Sequence, residues 1–97
     1  MEPTENVQYF CEKHSPKDPK AIELVKESPT KAIGKYAKIP FKVDDPNLGN
    51  EYMWVYVERY SNGLFSGRLS NDPIHIDHLA LGDIVSFAAA DVVALDG

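Results

Sequence analysis

One short helical segment followed by β-favouring runs predicts an α+β fold: an N-terminal helix packed on a bent antiparallel sheet of four or five strands, with closure into a partial SH3-like barrel left open. Three observations carry this expectation. Tyr52-Met53-Trp54-Val55-Tyr56-Val57 has the highest β-propensity in the chain and is apolar or aromatic on both faces, which marks a central strand. Asn62-Gly63 stands between apolar runs and tolerates the positive φ that tight hairpins require. Asp18-Pro19 opens the helix, because the aspartate accepts from orphan first-turn amides and proline presets φ at the first helical position. At 97 residues the chain can bury one core and is too short for two, so one domain is expected, helical over 1–34 and mainly β over 35–97.

From Pro19 onward, Ala21, Ile22, Leu24 and Val25 fall on one side of the helix, and Lys20, Glu23, Lys26 and Glu27 on the other. Ser28-Pro29 ends it, since a residue before proline is pushed out of the α region. A second helical turn is expected around Thr30 to Ile33, stopped by Gly34. The period then changes. Tyr36, Lys38, Pro40 and Lys42 alternate with Ala37, Ile39, Phe41 and Val43, and the proline places this strand at an edge or a bulge. Asp44 to Asn50 is a loop by its turn residues. Beyond the hairpin, Leu64 to Leu69 returns antiparallel, with Gly67 between Phe65 and Leu69 marking a bend, a bulge or a close backbone approach. Leu79 to Asp83 is a second turn leading into the strand Ile84 to Phe87, and Ala88 to Leu95 reads as a helical turn or an edge strand.

Composition narrows the function classes. Hydrophobic residues at 43% exclude a disordered chain, and a net charge of −5 opposes a phosphate backbone, so no nucleic acid is expected as partner. The lysines of the first half are interleaved with Glu12, Asp18, Glu23 and Glu27, which predicts a mixed, solvated face. Met1 to Ser15 shows neither a basic leader nor an apolar run, and no stretch approaches the roughly 18 apolar residues of a spanning helix, so no membrane contact is expected and the expected compartment is the cytosol. Cys11 is the only cysteine, which excludes an internal disulfide and suits a reducing compartment; it reads as a small, partly buried hydrophobe.

Glu51-Tyr52-Met53-Trp54-Val55, then Gly67-Arg68-Leu69-Ser70-Asn71-Asp72-Pro73, then Leu81-Gly82-Asp83-Ile84-Val85-Ser86-Phe87 resemble, in this order and spacing, the bacterial family catalogued as domain of unknown function 2314. Lys38 to Phe41 is similar to that family's short strand before the acidic loop, so the resemblance spans the final two thirds of the chain. The chain departs from the family at its end, where Val92 fits but Ala94 and Leu95 stand in place of an acid and a tryptophan. What the resemblance implies is limited, because the family has no established activity.

Candidate chemistry is sparse. His75-Ile76-Asp77-His78 offers ordinary ligand types, but an extended chain sends His75 and His78 to opposite faces, so no metal and no cofactor are expected. Asn71-Asp72-Pro73 presents an amide and a carboxylate either to a ligand or, with better odds, to its own backbone. Trp54, Tyr56 and Tyr52 share a strand face that forms an aromatic binding surface or is buried under the helix. There is no nucleophile elbow, phosphate loop or His-Glu-x-x-His pair. The expectation is a non-enzymatic binding or accessory module that contacts a protein or a small ligand through Trp54, Tyr56, Asn71, Asp72 and His75. The alternative is a small enzyme with Glu51, Asp72 and His75 as acid-base groups.

Overall fold

The structure, a computed structural model, describes residues 11–12, 17–43, 45, 47 and 49–97. The readings of the N-terminal leader, of the Cys11 side chain and of part of the acidic loop lie outside these residues. In chain order the elements are β1 (Cys11–Glu12), α1 (Pro19–Glu27), a 3-10 turn (Pro29–Ala32), β2 (Tyr36–Lys42), β3 (Asn50–Ser61), β4 (Leu64–Leu69), β5 (Ile84–Ala88), a second 3-10 turn (Ala89–Asp91) and β6 (Ala94–Asp96). The sheet is antiparallel in the order β5-β4-β3-β2-β6, with β1 adding to β3 beyond the reach of β4. No described helix is long and apolar enough to cross a membrane.

Local chemistry accounts for the boundaries. Asp18 caps α1 by accepting the Lys20 N–H at 3.1 Å, and Pro19 occupies the first helical position. Ser28 closes the helix through its N–H to the Leu24 carbonyl, and Pro29 starts the 3-10 turn that the sequence placed around Thr30 to Ile33. Asn62 and Gly63 both take positive φ (53° and 84°) and join β3 to β4, pairing Ser61 with Leu64 and Tyr60 with Phe65. Pro40 lies beyond the β6 pairing, which covers only Tyr36 to Lys38, so its missing N–H costs no ladder bond there.

The core forms on one sheet face. Ala37 and Ile39 from β2, Met53, Val55 and Val57 from β3, Phe65 and Leu69 from β4, and Phe87 from β5 are buried together. Val25 of α1, Ala32 of the 3-10 turn, Val43, Ile76 and Val92 complete this cluster, and each large side chain so buried is worth roughly 1.5–3 kcal/mol. A bulge opens between Val57 and Arg59, and it keeps Tyr60 beside Phe65, ring centroids 4.7 Å apart, while Phe65 stacks on Phe87 at 5.3 Å.

The residues from Ala89 to Val93 carry the chain from one edge of the sheet to the other. In a flat sheet those edges would stand about 19 Å apart, close to the full stretch of so short a connection. Because Ala89–Asp91 is wound as a 3-10 turn, the sheet must curl to bring β5 and β6 together. It curls without closing, since β5 and β6 are not hydrogen-bonded neighbours.

The expected α+β class and the antiparallel sheet are both found, with β3 in the middle. Ala88 to Leu95, left between helical turn and edge strand, contains a 3-10 turn and the start of an edge strand. The two-residue β1 goes beyond the expected four or five strands, because so short a pairing leaves no periodic signal. The turn before β5 is held by the Asp83 N–H to the Ala80 carbonyl (3.0 Å) and the Ala80 N–H to Asp83 Oδ2 (3.0 Å), with Gly82 at φ 92°. Gly82→Ala is expected to cost about 1 kcal/mol or more in urea unfolding, since only backbone strain opposes the methyl group. Wild-type stability in that variant would refute the turn conformation.

Candidate functional site

Two polar side chains are buried among the described residues, Glu51 at 1% exposure and Asn71 at 3%. Burying either costs free energy unless its hydrogen bonds are made. Glu51 occupies a core-facing position of β3, in alternation with Met53, Val55 and Val57. Its Oε2 accepts the Ile74 N–H at 2.9 Å and its Oε1 accepts the His75 N–H at 3.1 Å. Asn71 meets the same strand where β4 leaves it: Asn71 Oδ1 accepts the Trp54 N–H, and the Ser70 N–H donates to the Trp54 carbonyl at 2.8 Å. The two side chains replace a missing strand partner, and between them they fasten the segment from Ser70 to Leu79 against β3. Ile76 from that segment then plugs the core.

This geometry assigns roles to the sequence candidates. Asn71 is buried, and its Oδ1 accepts from a strand amide 17 residues away rather than from the backbone of its own turn. Glu51 and His75 do come together, but through the His75 main chain, with the imidazole outside and exposed. Asp72 is exposed as well, and so are Asp77 and His78. Among the described residues no three His, Cys, Asp or Glu side chains gather as a metal-ligand set. Asn71→Ala should cost roughly 1–3 kcal/mol by leaving the Trp54 N–H without a partner, while Asp72→Ala should stay within about 0.5 kcal/mol of wild type. Equal effects in chemical denaturation would contradict the distinction.

The second sheet face is built differently. Alternation brings Tyr36, Lys38, Pro40 and Lys42 of β2 to the same side as Tyr52, Trp54 and Tyr56 of β3, in register as Tyr36 with Tyr56, Lys38 with Trp54 and Pro40 with Tyr52. Across the hairpin Arg68 lies opposite Tyr56, and Ile84 lies opposite Arg68. The Tyr36 and Tyr56 rings meet edge to face at 5.3 Å, and Lys38 Nζ stands 6.0 Å from the Trp54 ring centroid, at the outer limit of cation–π contact. Arg68 Nε pairs with Glu58 Oε2 at 3.1 Å.

The helix does not bury this face, because α1 sends Val25 into the core shared with Met53 and Val55. Tyr56 is 38% exposed, Trp54 half-buried and Ile84 65% exposed. At one end of the face Tyr52 and Pro40 approach the helix, sharing a hollow of about 290 Å³ with Ile22 and Lys26. The period of β2 sets Lys38 and Lys42 on this one side. Sequence reasoning named Trp54 and Tyr56 and missed Tyr36, Lys38 and Arg68. Their signal lies in the strand register, which was not legible: the Asn62-Gly63 hairpin continued without interruption would set Arg68 opposite Val57, the bulge between Val57 and Arg59 brings it opposite Tyr56, and no comparable turn announces the β2 register.

Most residues that carry the family resemblance thus act inside the fold. Glu51 and Asn71 fasten the loop, Gly67 lies against the β3 backbone, and Gly82 with Asp83 forms the turn before β5. Trp54 differs in turning its ring outward. No curated protein and no solved structure matches the chain. A family match does exist, to "Uncharacterized protein conserved in bacteria (DUF2314)", and it runs over residues 4–94, so it takes in the helical part as well as the final two thirds. The chain belongs to this bacterial family.

Proposed function

We propose that the protein is a non-enzymatic binding module of the cytosol that contacts another protein through the outer sheet face centred on Trp54 and Tyr56. The observation that carries this reading is the aromatic row on a rigid central strand, Tyr52, Trp54 and Tyr56 extended by Tyr36, which the helix leaves partly open. Tyrosine and tryptophan supply large contact areas at little conformational cost, and are enriched where protein surfaces meet. The enzyme alternative has weaker support, because both Glu51 oxygens are engaged by loop amides in a buried position. Asp72 and His75 remain as exposed groups at the side of the module rather than as its centre.

The test compares two double variants as baits in bacterial lysate, Trp54→Ser with Tyr56→Ser and Asp72→Ala with His75→Ala, each captured protein being identified and its affinity measured again with the purified pair. A partner kept by the wild type and the loop variant, and weakened at least tenfold by the face variant, is the expected result. A partner lost only from the loop variant would move the contact to Asp72 and His75.

A further inference from the structure

We propose that the outer sheet face receives an acidic, extended segment of the partner protein, an inference that rests on the reading of this face as the contact surface. Its basis is a segregation of charge that the composition hides. The chain as a whole carries a net charge of −5, which would repel an acidic partner. On this face the sign reverses. Lys38 and Lys42 stand on the β2 side of the aromatic row, Arg68 stands on the β4 side, and Arg59 lies on β3 itself beyond the bulge, paired in register with Ser66. Glu58, bonded to Arg68, and Asp96 of β6, in register with Tyr36, are acids among them, so the cations keep a smaller excess. A row of rings bordered by cations along both sides matches a strand-like ligand with carboxylates at its margins, and such complementarity selects partners and speeds encounter more than it adds raw affinity.

The hollow at the end of the row extends the same surface. Pro40 and Tyr52 belong to the face, and Ile22, Lys17 and Lys26 of the helical side close the hollow, with Asp91 at its wall. Its volume of about 290 Å³ suits one side chain, set among Ile22, Pro40 and Tyr52 with two lysines and Asp91 beside it.

A single-stranded nucleic acid is the other anionic chain that aromatic and basic residues can bind, and it does so by stacking bases on free ring faces. Here the edge-to-face contact of Tyr36 with Tyr56 takes up one ring face, and Lys38 Nζ stands over Trp54 at the outer limit of contact, which reduces the ring area open to stacking. A peptide relies less on open ring faces and more on the cations beside them.

The experiment titrates the ¹⁵N-labelled full chain with three defined probes: an octapeptide alternating glutamate and leucine, one alternating lysine and leucine, and an eight-nucleotide oligouridylate. The acidic peptide is expected to shift the amides of Tyr36, Trp54 and Tyr56, to bind at least tenfold tighter than the basic one, and to weaken several-fold as salt rises from about 20 to about 200 mM. Lys38→Glu combined with Arg68→Glu should reduce its binding at least tenfold while leaving the rest of the spectrum in place. A spectrum that collapses in this variant would be replaced by Lys42→Glu with Arg59→Glu, for which the same loss is expected. Equal or tighter binding of the basic peptide at the same amides would overturn the acidic partner and leave the contact surface standing. Tighter binding of the oligouridylate there would overturn it in favour of nucleic acid. Shifts confined to residues 71–78 would overturn both the partner and the surface, and so would silence from all three probes combined with no Trp54-dependent partner in the capture experiment.

Discussion

Gly67→Ala is expected to be the most damaging single-methyl change in the chain, costing about 3 kcal/mol or more of a stability that for a domain of this size is on the order of 5–10 kcal/mol. Gly67 pairs with Val57 next to the bulge. A Cβ there would overlap the Tyr56 carbonyl oxygen, stand 2.8 Å from its carbon and 3.0 Å from Val55 Cγ1. Main-chain atoms of a central strand cannot swing aside as the end of a flexible side chain can, so either the β3–β4 pairing or the bulge must move. The strain is steric and local, and Ser66→Ala on the same strand should stay within roughly 0.5 kcal/mol of wild type. Thermal and urea unfolding of both variants measures the contrast, and a Gly67→Ala midpoint close to wild type would show that the strands are not in contact at this point.

Glu51→Gln is expected to cost about 2–3 kcal/mol, although the change preserves shape and volume. The carboxylate offers two acceptors to two amides, those of Ile74 and His75, whereas the glutamine amide keeps one acceptor and turns an NH₂ group toward the other donor. A buried donor facing a donor carries the full desolvation cost of both groups. The loss should be visible first in the Ser70 to Leu79 segment, which Glu51 and Asn71 hold together, and Ile76 should lose burial with it. Glu51→Gln with unaltered stability would mean that the segment is held by other contacts.

What was legible in the sequence follows from how local each signal is. Asp18-Pro19, Ser28-Pro29, Asn62-Gly63 and Gly82-Asp83 act within a few residues of themselves, and each stands where its chemistry placed it. The polar roles were harder to read because they depend on register. Glu51 shares the parity of Met53, Val55 and Val57, which alone is a sign of burial, yet its partners lie 23 and 24 residues away. Asn71 looked like a turn former because Asn-Asp-Pro is turn chemistry; its reach to Trp54 is set by the length of the hairpin between them. The bulge after Val57 left no mark in Glu58-Arg59, since neither residue is special to bulges. The outer face was half visible, the aromatic row from β3 alone and the cationic margins only once β2 and β4 were laid beside it.

The division between residues that build the fold and residues left for contact rests on three amides, those of Trp54, Ile74 and His75, and hydrogen exchange at these positions in the unaltered protein tests it most directly. Protection well above that of the exposed turn residues around them is expected at all three, because each donates to a buried side chain, Asn71 Oδ1 for Trp54 and the Glu51 carboxylate for Ile74 and His75. Exchange of Ile74 and His75 at the rate of an open surface loop would contradict it, and would return Glu51 to the pool of groups free for chemistry.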